Sequence, residues 1–112
     1  MSKRLLSLHR RAPGLEAQEA LDAVLVAAVF DQQVALLFRE TGIQQLVEAK
    51  VSEEMAEAIR SLADYGIKDV YVCAVALTAA QLSKDNLLVP AQVLTPREQS
   101  ELFASQDMVL CD

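Results

Sequence analysis

The sequence predicts an α/β fold, a three-layer sandwich built around a mostly parallel, five-stranded sheet. Three observations predict it. Short apolar runs alternate with longer segments of helical period, which is how helices come to cover a parallel sheet. One run, Val34-Ala35-Leu36-Leu37-Phe38, is apolar at every position, as a strand buried on both faces requires. Turn and cap residues punctuate the alternation at Pro13-Gly14, Gly42, Gly66 and Thr95-Pro96, where strands and helices have to end.

The elements follow in order. Arg4 to Leu8 reads as the first strand, with Leu5, Leu6 and Leu8 apolar and the segment Arg10-Arg11-Ala12-Pro13-Gly14 ending it. Leu15 to Phe30 is a helix with Leu21, Val24, Leu25, Ala28 and Val29 on one face. Its acids Glu16, Glu19 and Asp22 come early, where the helix dipole favours them. Val34 to Phe38 is the second strand. Gly42 marks a turn, and Ile43 to Val47 reads as a short helix. Ser52 caps the next helix, whose stripe is Met55, Ile59, Leu62 and Ala63. Gly66 stands where a helix end takes a positive φ.

Val70 to Leu77 is expected to be the third and most apolar strand. Thr78 with Gln81 reads as a capping box opening a short helix. Leu87 to Val89 reads as a strand that Pro90 confines to a sheet edge. Thr95-Pro96-Arg97-Glu98 is the sharpest local signal: a capping threonine, a proline at the first helical position and a glutamate answering at the third. Leu102 and Phe103 should face inward on that helix, and Met108 to Leu110 is the last strand.

The 112 residues and 12.2 kDa make a single domain over residues 1–112. A chain of this length buries roughly two-thirds of its unfolded surface. The longest uncharged apolar stretch, Ala23 to Phe30, is far below the ~20 residues that span a bilayer. The start, Met-Ser-Lys-Arg, is basic, but the apolar run behind it stops at His9, too soon for a signal peptide. A cytoplasmic chain is the expectation.

Ten basic against sixteen acidic residues give a net charge of −6. Nucleic-acid binding draws its affinity from Lys and Arg on phosphates, so direct nucleic-acid binding is not expected. Anionic membrane surfaces are disfavoured for the same reason. Two cysteines, Cys73 and Cys111, are too few for a disulfide framework. With one histidine, a zinc site would need carboxylates as well, and no metal is expected. No cofactor is expected either, since the first loop has one glycine, Gly14, and neither G-x-G-x-x-G nor a Walker pattern. A phosphoacceptor receiver needs acids at the end of the first strand, and this chain has Arg10 and Arg11 there.

Ligand sites in such folds lie beyond the carboxyl ends of the strands, here Arg10 to Gly14, Arg39 to Gly42 and the segment after Cys73. Arg10 and Arg11 read as a solvated loop, or as a hold for an anion or a partner's carboxylate. His9 has no adjacent Ser or Asp that would suggest a triad, and reads as an ordinary strand-end residue. Cys73 is the one candidate for covalent chemistry: a thiolate can accept sulfur and pass it on as a persulfide if its pKa is lowered and it is exposed. Against that, Tyr71-Val72-Cys73-Ala74-Val75 reads as the middle of a buried strand, where a cysteine is inert. Cys111 has no cationic neighbour in sequence to activate it.

Several segments, in this order, resemble the TusC/DsrF family of small DsrE/DsrF-like α/β proteins from bacterial sulfur relays. They are Ala12-Pro13-Gly14, Glu19-Ala20-Leu21-Asp22-Ala23-Val24-Leu25, Leu37-Phe38 leading to Gly42-Ile43-Gln44-Gln45-Leu46, Tyr65-Gly66-Ile67, Tyr71 to Leu77, and Asp107-Met108-Val109-Leu110. The chain departs from the family after Leu77, where Thr78-Ala79-Ala80-Gln81 replaces an Arg-x-Arg-Gly-like turn. The resemblance implies a DsrE/DsrF-like, flavodoxin-like fold and a C-type subunit that assembles with related B and D subunits. Such a complex takes persulfide sulfur from an upstream carrier and passes it towards tRNA 2-thiouridine, whereas relatives named DsrF serve sulfur oxidation.

In the family the essential cysteine belongs to the D subunit, one place earlier relative to the following leucine than Cys73 is. A one-residue offset in a strand turns a side chain to the other face, which implies a non-catalytic subunit here. The leading expectation is therefore a structural partner in a cytoplasmic sulfur relay. The alternatives are an active persulfide carrier using Cys73, a sulfur-oxidation subunit, and a stand-alone binding module.

Overall fold

The computed structural model describes residues 3–30 and 32–111. Five strands, β1 (Arg4–His9), β2 (Gln33–Phe38), β3 (Asp69–Cys73), β4 (Gln92–Leu94) and β5 (Met108–Cys111), form one sheet in the order β4-β3-β2-β1-β5. Every pairing is parallel. The helices are α1 (Leu15–Val29), α2 (Glu53–Arg60), α3 (Ala74–Ala79) and α4 (Pro96–Ala104).

The strand order dictates which helix covers which face. The chain steps from β1 through β2 and β3 to β4 in one direction, then returns across the whole sheet to β5. Right-handed crossovers put helices that travel in opposite directions on opposite faces. One face accordingly packs Leu5, Val34, Leu36, Phe38, Val70 and Val72 against Leu21 and Val24 of α1, Met55 and Ile59 of α2, and Ala76 of α3. The other face packs Leu6, Leu8, Ala35 and Leu37 against Tyr71 and against Leu102 and Phe103 of α4. The sandwich is thus three-layered but lopsided, with a single helix, α4, on its second face among the described residues.

Local chemistry accounts for the boundaries. β2 is apolar throughout because its alternate residues enter two different cores. Ser52 accepts a hydrogen bond from the Met55 amide and starts α2. Gly66, at φ 81°, closes the 3₁₀ turn Leu62–Tyr65 in the left-handed conformation that an L side chain resists. At α4 the capping box is complete, with Glu98 N–H donating to Thr95 Oγ1 at 3.2 Å and Thr95 N–H to Glu98 Oε1 at 2.9 Å.

Four expectations require correction. The apolar run from Val70 does not stay extended to Leu77: the strand stops at Cys73 and Ala74–Ala79 is helical. Thr78 therefore lies inside α3 and opens no helix, and Gln81 takes a turn conformation with φ 57°. Leu87 to Val89 forms no strand; the Leu88 amide bonds to Leu46 O, and the edge strand is Gln92–Leu94 beyond Pro90. Between Gly42 and Val47 the helix is a 3₁₀ segment, and it begins earlier, at Glu40.

Candidate functional site

Adjacent strands whose following helices leave to opposite faces open a crevice at their carboxyl ends. In this sheet those strands are β3, which leads into α3, and β4, which leads into α4. A cavity of about 490 Å³ lies there. Arg39 and Glu40 after β2, Cys73 and Val75 at the β3–α3 junction, and Gln99 and Phe103 on α4 are among its lining residues.

Arg39 is positioned by a tight turn. Its amide donates to His9 O at 3.0 Å, and its carbonyl accepts from Gly42 N–H at 2.8 Å. Glu40 takes φ 50°, a left-handed value uncommon for a residue with a side chain, and that reverses the chain. Thr41 Oγ1 then donates to Arg10 O at 2.9 Å, and Gln45 Nε2 to Arg11 O at 2.8 Å. The β2 loop is stitched to the β1 loop, and Arg39 projects from the stitched edge. Its Nε is buried and has no acceptor among the described residues.

Cys73 is the last residue of β3 and the residue from which α3 begins. It is 7% exposed. Burial by itself would push its thiol up. The backbone amide of Ala76, the side-chain amide of Gln99, the amide of Val75 and the charge of Arg39 outweigh that and hold the thiol below its ordinary value. The expected mid-strand setting for Cys73 is therefore corrected: it is buried as expected, but it ends β3 at a largely apolar cavity that Arg39 and Gln99 also line.

Gln99 was not foreseen from the sequence. It is 3% exposed and donates from Nε2 to Leu94 O at 3.1 Å, at the end of β4. The signal was present: Gln99, Leu102 and Phe103 stand at i, i+3 and i+4, so the glutamine shares the inward face of α4.

The other candidates lie elsewhere. Arg10 is paired with Glu40 at 3.9 Å and Arg11 with Glu16 at 2.6 Å, so acids of this chain already engage both. His9 does have a serine partner, two residues back on the same strand face: Ser7 Oγ lies 2.9 Å from Nε2. Both are buried, and the imidazole stacks on Phe38 with ring centroids 5.0 Å apart, which makes the pair part of the core. Cys111 is exposed on β5, at the opposite side of the sheet from β4. Among the described residues no three His, Cys, Asp or Glu side chains gather as a metal site, and no helix is long and apolar enough to cross a membrane.

The second surface feature is the edge strand β5. All four of its residues are exposed. Met108, Val109 and Leu110 are 52%, 43% and 42% exposed, and Leu15, Val29 and Phe30 at the two ends of α1 are exposed too. Such an edge offers unpaired backbone groups and apolar side chains together.

A family model described as the DsrE/DsrF-like family matches residues 3–111. "Intracellular sulfur oxidation protein DsrF" of Allochromatium vinosum is 34% identical over 77% of this chain and 68% of its own length. A protein named "Protein TusC homolog" from Pseudomonas aeruginosa is 30% identical over 98% of each chain. Another TusC homolog, from Vibrio parahaemolyticus, is 28% identical over 87% of this chain and 88% of its own. Among solved structures, the crystal structure of the ychN protein from E. coli superposes with a TM-score of 0.83 over the whole of both chains at 16% identity, a likeness of fold.

Proposed function

This chain belongs to the DsrE/DsrF-like family, among its TusC and DsrF members, and from that premise we propose that it is a structural subunit of a cytoplasmic sulfur relay. It assembles with related small α/β chains of the B and D type. Persulfide sulfur delivered by an upstream carrier passes through that assembly towards 2-thiouridine in tRNA, carried by the thiol of a sister chain.

The observation that carries this reading is the β5 edge. Met108 and Leu110 on one face of the strand and Val109 on the other are exposed, at the end of the sheet. Exposed apolar side chains on an edge strand suit a protein–protein contact. The burial of Cys73 agrees with a supporting role, since a thiol that hands on sulfur has to meet its donor.

Co-expression with two sister chains, followed by size-exclusion chromatography, tests the reading. Co-elution of all three is expected, with loss of tRNA 2-thiouridine when this chain is deleted. Elution as a lone monomer overturns it. Intact thiouridine alongside impaired sulfur oxidation would move the subunit to the DsrF-type pathway.

A second reading is favoured by the environment of Cys73, in which this chain carries sulfur itself. The Cys73 thiolate would attack the terminal sulfur of a donor persulfide; the donor's S–S bond breaks, its thiolate leaves, and Cys73 becomes the persulfide. Mass spectrometry after incubation with a persulfide donor would find the chain heavier by one sulfur atom. Persistence of that adduct in Cys73→Ser rejects this reading.

A further inference from the structure

We propose that the cavity between the carboxyl ends of β3 and β4 binds a small organic monoanion, its anionic group on Arg39 and its aliphatic end on Val75, Ala79 and Phe103. This goes beyond the sulfur-relay reading and does not depend on it.

The anionic group follows from Arg39. A guanidinium N–H buried without an acceptor is costly, and the Arg39 Nε is in that state. The adjacent acid does not relieve it, because Glu40 is directed to Arg10. Among the described residues no carboxylate lies within ion-pair distance of Arg39. Its backbone is bonded at both the amide and the carbonyl in the turn over His9, which fixes the point from which the side chain leaves the loop.

A single charge follows from the rest of the lining. Among the described residues Arg39 is the one cation lining the cavity, and Glu40 stands at its side. The chain's net charge of −6 further opposes a dianion. The aliphatic end follows from Val75, Ala79 and Phe103, which line the same space; an apolar cavity with few polar groups is the usual form of a small-molecule site. At about 490 Å³ it is large enough for a short-chain acid.

Cys73, in the same lining, makes the site readable with two matched reagents, iodoacetate and its neutral counterpart iodoacetamide. In both reactions the thiolate sulfur attacks the CH₂ carbon and iodide leaves with the bonding pair. The measurement uses the Cys111→Ser chain, so that Cys73 is the remaining thiol. The ratio of iodoacetate to iodoacetamide rates should exceed that of N-acetylcysteine by about tenfold, although the negative chain disfavours iodoacetate. The iodoacetate rate should saturate, and butyrate should protect Cys73 from both reagents. Arg39→Met should return the ratio to that of N-acetylcysteine, and Arg39→Lys should keep part of the excess.

A thiolate effect alone moves both rates together and leaves the ratio unchanged. A ratio at or below that of N-acetylcysteine, with no protection by butyrate, overturns the proposal. If Cys73 resists both reagents, the Arg39 Nε–H resonance decides: butyrate should shift it, and an unmoved resonance at tens of millimolar butyrate overturns the site. Neither readout involves sister chains or sulfur transfer, so this proposal and the preceding one fail separately.

Discussion

Gly42 lies against the carbonyl of His9 so closely that a Cβ on it would stand 2.0 Å from that oxygen. The contact is backbone on backbone, so no side-chain rotation relieves it. Only glycine lets the β2 loop close over the end of β1, and that closure aims Arg39 into the cavity. Gly42→Ala should destabilise the fold by about 1–3 kcal/mol, read as a lower urea midpoint at unchanged slope.

Thr95 and Glu98 answer each other at the start of α4, among the described residues the one helix on the second face of the sheet. Thr95→Ala should cost about 1 kcal/mol, measured by chemical denaturation. Bonding to the Thr95 amide and hydroxyl holds the Glu98 carboxyl below its usual range. A lowered folded value means a stabilisation that is complete above the unfolded carboxyl pKa and lost as pH falls through the folded one. Glu98→Gln should flatten that acid-side slope, seen in denaturation midpoints collected across the acidic range.

Cys73 should alkylate with iodoacetamide along a pH profile lying below that of N-acetylcysteine, because the Ala76, Gln99 and Val75 donors and Arg39 outweigh its burial. The sign for stability is the same as for a lowered carboxyl: the thiolate's contribution is complete above the unfolded thiol pKa and disappears as pH falls through the folded one. Gln99→Leu should move the profile upward. An unmoved profile in that variant would leave the backbone amides and Arg39 as the whole cause. The measurement is the rate against pH in the Cys111→Ser chain.

Leu110, exposed on the open edge, should matter to assembly and little to folding. Leu110→Lys puts a charge where a sister chain is proposed to pack. It should abolish co-elution while leaving stability within about 0.5 kcal/mol, checked by chromatography and denaturation on one preparation. Co-elution undiminished in this variant would move the contact to another surface.

Parts of the chain were readable because their signals are local. The Thr95-Pro96-Arg97-Glu98 start, the Gly66 stop and the fully apolar β2 each encode their conformation within a few residues. The run from Val70 to Leu77 was not readable in that way. It holds no glycine, proline or charge between Val70 and Leu77, and an apolar run without punctuation suits a buried strand or a buried helix equally. The break at Cys73 comes from the sheet: β3 has partners only as far as Val72 on the β2 side and Cys73 on the β4 side. β4 escaped notice for the opposite reason, since three residues are too few to show a period. The same absence of punctuation hid the cavity, because it made Cys73 look like the middle of a strand.

By itself the sequence determined the α/β class, the starts of α2 and α4, the Gly66 stop, the acidic charge and the order of segments that marks the family, since each depends on near neighbours or on simple sums. Only the tertiary structure decided that Arg39, Cys73 and Gln99 share one cavity, from three elements separated by 34 and 26 positions in the chain. The crossover directions of β3 and β4 bring them together, and strand order is fixed by packing between distant segments that no local pattern records.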